Sequence, residues 1–148
     1  MNYFSFQWHI TEKCDQRCKH CYIFSANPNE LRKETTKEKF PLVIDACVEL
    51  CNKLDRLPYF TITGGDPILN KDFWELLNIL HEKGIPFSIL GNPFHLNNTV
   101  CKDLKRLGCR KYQLSLDGLE KTHDYIRRKE LNHVGYLPPE SIVMYTVG

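Results

Sequence analysis

"YFTITGGDPILNKDFWELLNILHEKGIPFSIL", residues 59–90, contains a complete strand–helix–strand unit, and its reading decides the fold. The aromatic and β-branched run 59–63 ends in Gly64-Gly65, as a short buried strand entering a turn does. Asn70 can then cap a helix whose apolar face is Phe73, Leu76, Leu77 and Leu80, three and four residues apart. Gly84 closes that helix, and "PFSIL" (86–90) is the next strand.

Working outward, the pattern repeats. Asn97 or Asn98 starts a helix through Val100, Cys101, Leu104 and Leu107, and "KYQLSL" (111–116) is the strand beyond. Upstream, "PLVIDACVELCNKLDRL" (41–57) carries apolar residues at Val43, Cys47, Leu50, Cys51 and Leu54, one helical stripe that Pro58 ends. "YFSFQWHI" (3–10) reads as the first strand. Strand centres near Ile62, Ile89 and Leu114 recur about every 26 residues, the length of a strand, a helix and their loops. Strands alternating with amphipathic helices predict a parallel sheet with right-handed crossovers. The expected fold class is α/β, a partial (β/α) TIM-like barrel of about four to five βα units, because a closed eightfold barrel needs about 250 residues and the chain has 148.

Toward the end, 119–131 can be a helix and "SIVMYTVG" (141–148) a strand, but "GYLPPE" between them fits neither. The expected division is a core at 1–128, an incomplete barrel, and a divergent or truncated tail at 129–148.

Composition narrows the function classes. A net charge of +2 is too small to imply a nucleic-acid partner or an anionic membrane surface. No apolar run is long enough to cross a bilayer, and "MNYFSFQWHI" lacks the charged start and cleavage site of a signal peptide, so a cytoplasmic protein is expected. Seven cysteines, an odd number without secretory features, read as metal ligands or core residues rather than a disulfide framework. Cys47, Cys51 and Cys101 fall on apolar helical faces, and Cys109 beside a strand start, where a free thiol packs as a small hydrophobe. Trp8, Phe73 and Trp74 read as packing residues.

In parallel α/β folds the chemistry sits beyond the carboxyl ends of the strands. The polar and glycine-rich stretches "TEKCDQRCKHC" (11–21), "TGGDP" (63–67), "GNPF" (91–94) and "SLDG" (115–118) all lie there. Cys14, Cys18 and Cys21 form C-x3-C-x2-C and no further ligand follows. Structural zinc is closed by four ligands, and His20, between two of the cysteines, is poorly placed to be the fourth. A four-iron cluster held by three thiolates keeps one iron open to a small molecule. Taken alone, "TGGDP" is also compatible with a plain turn, and Arg127 with a solvated helix charge.

The cysteine motif at the end of a first strand resembles the signature of the radical S-adenosylmethionine (SAM) superfamily. The resemblance covers about residues 5–127. It implies a [4Fe-4S] cluster on Cys14, Cys18 and Cys21, with the amine and carboxylate of SAM on the fourth iron. An electron from the cluster then cleaves SAM to methionine and a 5′-deoxyadenosyl radical, which abstracts hydrogen from substrate. "TGGDP" resembles the Gly-Gly-Glu-Pro motif of that family, so Gly64, Gly65 and Asp66 are implied to hold the methionyl amine, with Asp in place of the usual Glu. His20 stands where the family has an aromatic residue near the adenine. Ser115 and Asp117 resemble its fourth-strand polar residues. Arg127, in "HDYIR" (123–127), is implied to meet the SAM carboxylate, and Asn92 stands where a Thr-Asn-Gly often occurs.

"FSFQWHITEKCDQRCKHCYIF" (4–24) resembles the peptide-modifying branch, maturases of ribosomally made peptides. That implies an oxidoreductase acting on a peptide or small-molecule substrate, with a reductant such as flavodoxin or ferredoxin. No protein side chain is implied as an acid or base. The alternative is a non-catalytic fragment that binds a cluster or SAM without turnover.

Overall fold

The structure, a computed structural model, describes residues 2–23 and 34–127. The expected tail at 129–148, its strand and the end of the 119–131 helix lie outside them. Four strands, β1 (Tyr3–Thr11), β2 (Leu57–Gly64), β3 (Phe87–Leu90) and β4 (Cys109–Gln113), form one sheet in the order β1-β2-β3-β4. All three pairings are parallel, with Phe6 opposite Phe60, Phe60 opposite Phe87, and Ile89 opposite Tyr112. Helices α1 (Phe40–Lys53), α2 (Phe73–Glu82) and α3 (Asn98–Arg106) make the crossovers after β1, β2 and β3, and α4 (Glu120–Arg127) follows β4. The α/β partial barrel is therefore present.

The core lies between the sheet and its helices. Phe60 and Ile62 of β2, Phe87 and Ile89 of β3, and Leu76, Leu77 and Leu80 of α2 are all fully buried. Each is worth about 1.5–3 kcal/mol in burial. Trp8 meets the Phe40 ring edge-on at 5.7 Å, and Phe73 meets Trp74 at 5.1 Å, the packing role expected of these aromatics. Cys51 and Cys101 are buried and Cys47 and Cys109 pack against the core, as expected of apolar thiols.

Three local expectations are corrected. The buried stripe of α1 is Phe40, Ile44 and Cys51 with Cys47 and Val48, rotated from the one read in sequence. Leu50 and Leu54 lie in solvent because Ile44, not Val43, sets the phase of the face. Asn70 does not cap α2: its Oδ1 accepts from the Asp72 N–H and its Nδ2 donates to the carbonyls of Ile10 and Thr35, fastening the end of β1. β4 ends at Gln113 rather than 116, freeing residues 114–117 to reach the site. Asn97, by contrast, caps α3 as expected, accepting from the Thr99 and Val100 N–H groups at 3.0 Å.

Candidate functional site

Four strand ends converge on one cavity of about 230 Å³. Cys14, Cys18, His20 and Cys21 line it from the loop after β1, Gly64 and Gly65 from the end of β2, Asn92 from beyond β3, and Ser115 and Arg127 from beyond β4. Sequence positions about a hundred residues apart thus share one wall. Asp66 and Asp117 are not among the lining residues.

The start of the loop carrying the cysteines is held to the end of β2 by backbone hydrogen bonds. The N–H of Gly65 donates to the Thr11 carbonyl at 2.8 Å and that of Asp66 to the Lys13 carbonyl at 2.7 Å. A Cβ on Gly64 would lie 2.1 Å from the Thr11 oxygen, and one on Gly65 2.1 Å from the Lys13 oxygen. Both positions therefore require glycine so that the loop can lie against the end of β2. From the sequence the two glycines were expected to admit a ligand; in the structure they first admit the loop itself.

All three thiols are free and half-buried. Burial, then the facing Asp66 and Asp15, push the Cys14 thiol up to about 11, against a pull from the Gln16 N–H that donates to its sulfur at 3.4 Å. Burial also raises Cys18, which Arg127 pulls back, its guanidinium donating to the sulfur at 3.7 Å. A thiol so placed becomes a thiolate when a positive metal centre arrives, with release of a proton. Among the described residues three free thiols and no fourth line this cavity, a donor set that fits a cluster with one iron left open.

Around the cysteines, Arg127 is engaged as a fork on Asp117: NH2 donates to Oδ1 at 3.0 Å and Nε to Oδ2. That contact, ahead of the charges of Arg127, His20 and His123, holds the Asp117 carboxyl below its ordinary range. The Lys19 N–H donates to the Ile126 carbonyl at 2.8 Å, and the Lys19 ammonium sits 3.0 Å from the centre of the Tyr125 ring, so α4 is tied to the cysteine loop. His20 is exposed at the cavity mouth.

Asp66 is fully buried below the cavity, and its oxygens meet only the backbone of Asn92 and Ile68, without a well-formed hydrogen bond. Burial and the charge of Asp15 push it up to about 7; the nearby backbone of Asn92 and Ile68 only partly offsets this. Asn92 bridges the region, its Nδ2 donating to Asp15 Oδ1 at 2.7 Å and facing Cys14 Sγ at 3.8 Å, while Tyr112 Oη donates to its carbonyl at 3.0 Å. Asp15, Gln16 and His95 were not anticipated from sequence. No motif spacing marks them, because the ends of separate strands bring them together.

The Radical SAM superfamily profile matches residues 8–134. Fe-coproporphyrin III synthase of Methanosarcina barkeri is 31% identical over 81% of this chain and 29% of its own length. Mycofactocin maturase MftC of Mycobacterium ulcerans is 32% identical over 75% of this chain and 28% of its own. The chain thus spans less than a third of the length of these relatives. Among solved structures, Streptococcus suis SuiB bound to precursor peptide SuiA superposes with a TM-score of 0.70 at 20% identity, over 90% of this chain and 29% of that one. BtrN in complex with AdoMet and 2-DOIA gives 0.66 at 17% identity, over 99% of this chain and 58% of that one. At such identities these likenesses speak for the fold.

Proposed function

This chain belongs to the radical SAM superfamily, and from that premise we propose that Cys14, Cys18 and Cys21 hold a [4Fe-4S] cluster that serves reductive cleavage of SAM. The family consists of enzymes that use this cluster and this cosubstrate. When bound, the cluster supplies the single electron that SAM cleavage requires. The observation that carries the reading is the cavity shared by three free thiols and the Gly64-Gly65 turn.

The chain's own residues would bind, orient and exclude water. The backbone at Gly64 and Gly65, which lines the cavity, suits the methionyl amine, with the Asp66 carboxyl beneath it. His20 at the mouth can stack on the adenine, and Ser115 can meet the ribose or the methionyl group. Arg127, fixed by Asp117, would present its NH1 beside Cys18 to the cofactor. Residues 1–128 form the unit to which this function is assigned.

The substrate we propose is a peptide. MftC is a maturase and SuiB is bound to a precursor peptide, and both resemble this chain. A small electron carrier such as flavodoxin or ferredoxin would reduce the cluster, with no nucleic acid or membrane partner. Among the described residues no helix is long and apolar enough to cross a membrane. A cytoplasmic setting would keep an open cluster reduced.

The test is anaerobic reconstitution with iron and sulfide, reduction, and electron paramagnetic resonance with and without SAM. A [4Fe-4S]⁺ signal that changes on adding SAM is expected, and its loss in Cys14→Ser. Folded protein that takes up no cluster would overturn the reading. A cluster signal indifferent to SAM would instead favour a fragment that binds the cluster without turnover.

A further inference from the structure

We propose that Asn92 and Arg127 are positioning residues for electron transfer: their N–H groups, aimed at the sulfurs of Cys14 and Cys18, set how readily the cluster held there accepts its electron. The inference rests on the reading that Cys14, Cys18 and Cys21 hold a [4Fe-4S] cluster. Asn92 Nδ2 faces Cys14 Sγ at 3.8 Å, and the Arg127 guanidinium faces Cys18 Sγ at 3.7 Å. Neither donor belongs to the cysteine loop. Asn92 follows β3 and Arg127 ends α4, 78 and 109 residues further along the chain than the sulfurs they meet. The two contacts are therefore products of the fold and not of a local turn.

Each donor is also held by a carboxylate. Arg127 is forked on Asp117 through Nε and through one terminal nitrogen at 3.0 Å, which leaves its other terminal nitrogen directed at the sulfur. Asn92 Nδ2 donates to Asp15 Oδ1 at 2.7 Å, its Oδ1 accepts the Phe94 N–H at 3.1 Å, and its carbonyl accepts the Tyr112 hydroxyl at 3.0 Å. Asn92 is 5% exposed and the Arg127 side chain 16%. Both groups are fixed before a ligand arrives, so they need no reorganisation when charge appears on the sulfurs.

Reduction adds one electron and no proton, taking [4Fe-4S]²⁺ to [4Fe-4S]⁺, and the electron comes from the small carrier proposed above. N–H groups pointing at the sulfurs favour the more negative state and so raise the potential. The other surroundings oppose it. Burial and the facing carboxyl groups of Asp66 and Asp15 disfavour negative charge at Cys14, and burial does so at Cys18. The two donors are what offsets this. The charged donor on Cys18 should count for more than the neutral one on Cys14.

The test is a redox titration of the anaerobically reconstituted 148-residue chain, followed by electron paramagnetic resonance. Arg127→Gln should lower the equilibrium constant for reduction at least about tenfold, about 59 mV for one electron, and Asn92→Ala should lower it by less. Arg127→Lys keeps the charge but not the fork on Asp117, and should fall between wild type and Arg127→Gln. A merely structural role predicts the opposite sign, because a loosened rim admits water, whose hydrogen bonds to the sulfurs raise the potential. A midpoint unmoved or raised in Arg127→Gln, with wild type carrying its cluster, would overturn the proposal and leave the cluster assignment standing. Loss of the cluster from both Arg127→Gln and Asn92→Ala would overturn it too, since the donors would then hold the thiolates rather than set the potential. A wild-type chain that takes up no cluster overturns the cluster assignment, and this inference with it.

Discussion

The two sides of the sheet's carboxyl edge are built on opposite terms. Beneath it, Phe60, Ile62, Leu77, Phe87 and Ile89 are fully buried among apolar partners. Above it, among the described residues, Asp66, His95 and Asp124 carry buried polar atoms that lack a well-formed hydrogen bond, and two of the three cysteines have thiols whose ionisation is resisted by burial. The first region has the self-consistency of a folding core. The second has the incompleteness of a site that needs something added. Stability is concentrated in the body and frustration at the rim.

Two substitutions break this comparison most severely. Gly65→Ala strikes the joint between the regions, where a Cβ meets the Lys13 carbonyl at 2.1 Å and no flexible side chain can yield. The cysteine loop should detach from β2, and cluster uptake, measured as protein-bound iron and sulfide, should fall to background. Phe60→Ala instead hollows the body, where the ring stacks on Phe6 at 5.4 Å. It should cost about 3–5 kcal/mol in denaturant unfolding, while the protein that remains folded binds iron normally. Equal loss of iron from the folded fraction of both variants would show that body and rim are one unit.

Asp66 sharpens the comparison through pH. The folded chain holds its proton up to about 7, whereas an exposed carboxyl releases it near 3.8. A raised folded value means that stability is full below the unfolded value and is lost as pH rises through the folded one. Metal-free protein should therefore weaken steadily between about pH 4 and about pH 7. Asp66→Asn cannot ionise and should show a nearly flat profile in urea unfolding over that window. A wild-type profile as flat as the variant's would place Asp66 in solvent or in a stable ion pair.

The same division explains what could be read from sequence. The body was legible because burial imposes a period: Phe73, Leu76, Leu77 and Leu80 announce their helix, and the strand cores recur at βα spacing. Where several apolar residues compete for one face the period is ambiguous, which is why the α1 stripe was read a step out of phase. At the rim, only groups dense in one segment were legible, namely Cys14, Cys18 and Cys21 and the Gly64-Gly65 turn. Asn92 and Arg127 were not legible as sulfur donors, since they meet Cys14 and Cys18 only after the strands pair. Nor could sequence reveal that Arg127 is forked onto Asp117, because both were candidates for the same ligand and their mutual contact depends on the turn between β4 and α4.

The smallest effect is the most discriminating, because it tests whether the rim is incomplete everywhere or only around its ligands. Asn97 lies at the rim, at the end of the loop that carries Asn92 and His95, yet its oxygen accepts two α3 backbone N–H groups at 3.0 Å. Nothing about it is left unsatisfied, so it belongs energetically with the body. Asn97→Ala removes one acceptor and exposes two donors at the helix start, a loss of about 1 kcal/mol. Iron content and the midpoint potential should not change, because that side chain bonds the start of α3 rather than Cys14 or Asn92. A drop in stability with cluster uptake and potential intact would confine the incompleteness to the residues facing the cavity. A shifted potential with little loss of stability would instead show that the 91–97 loop positions Asn92 through its helix cap, extending the site to the start of α3.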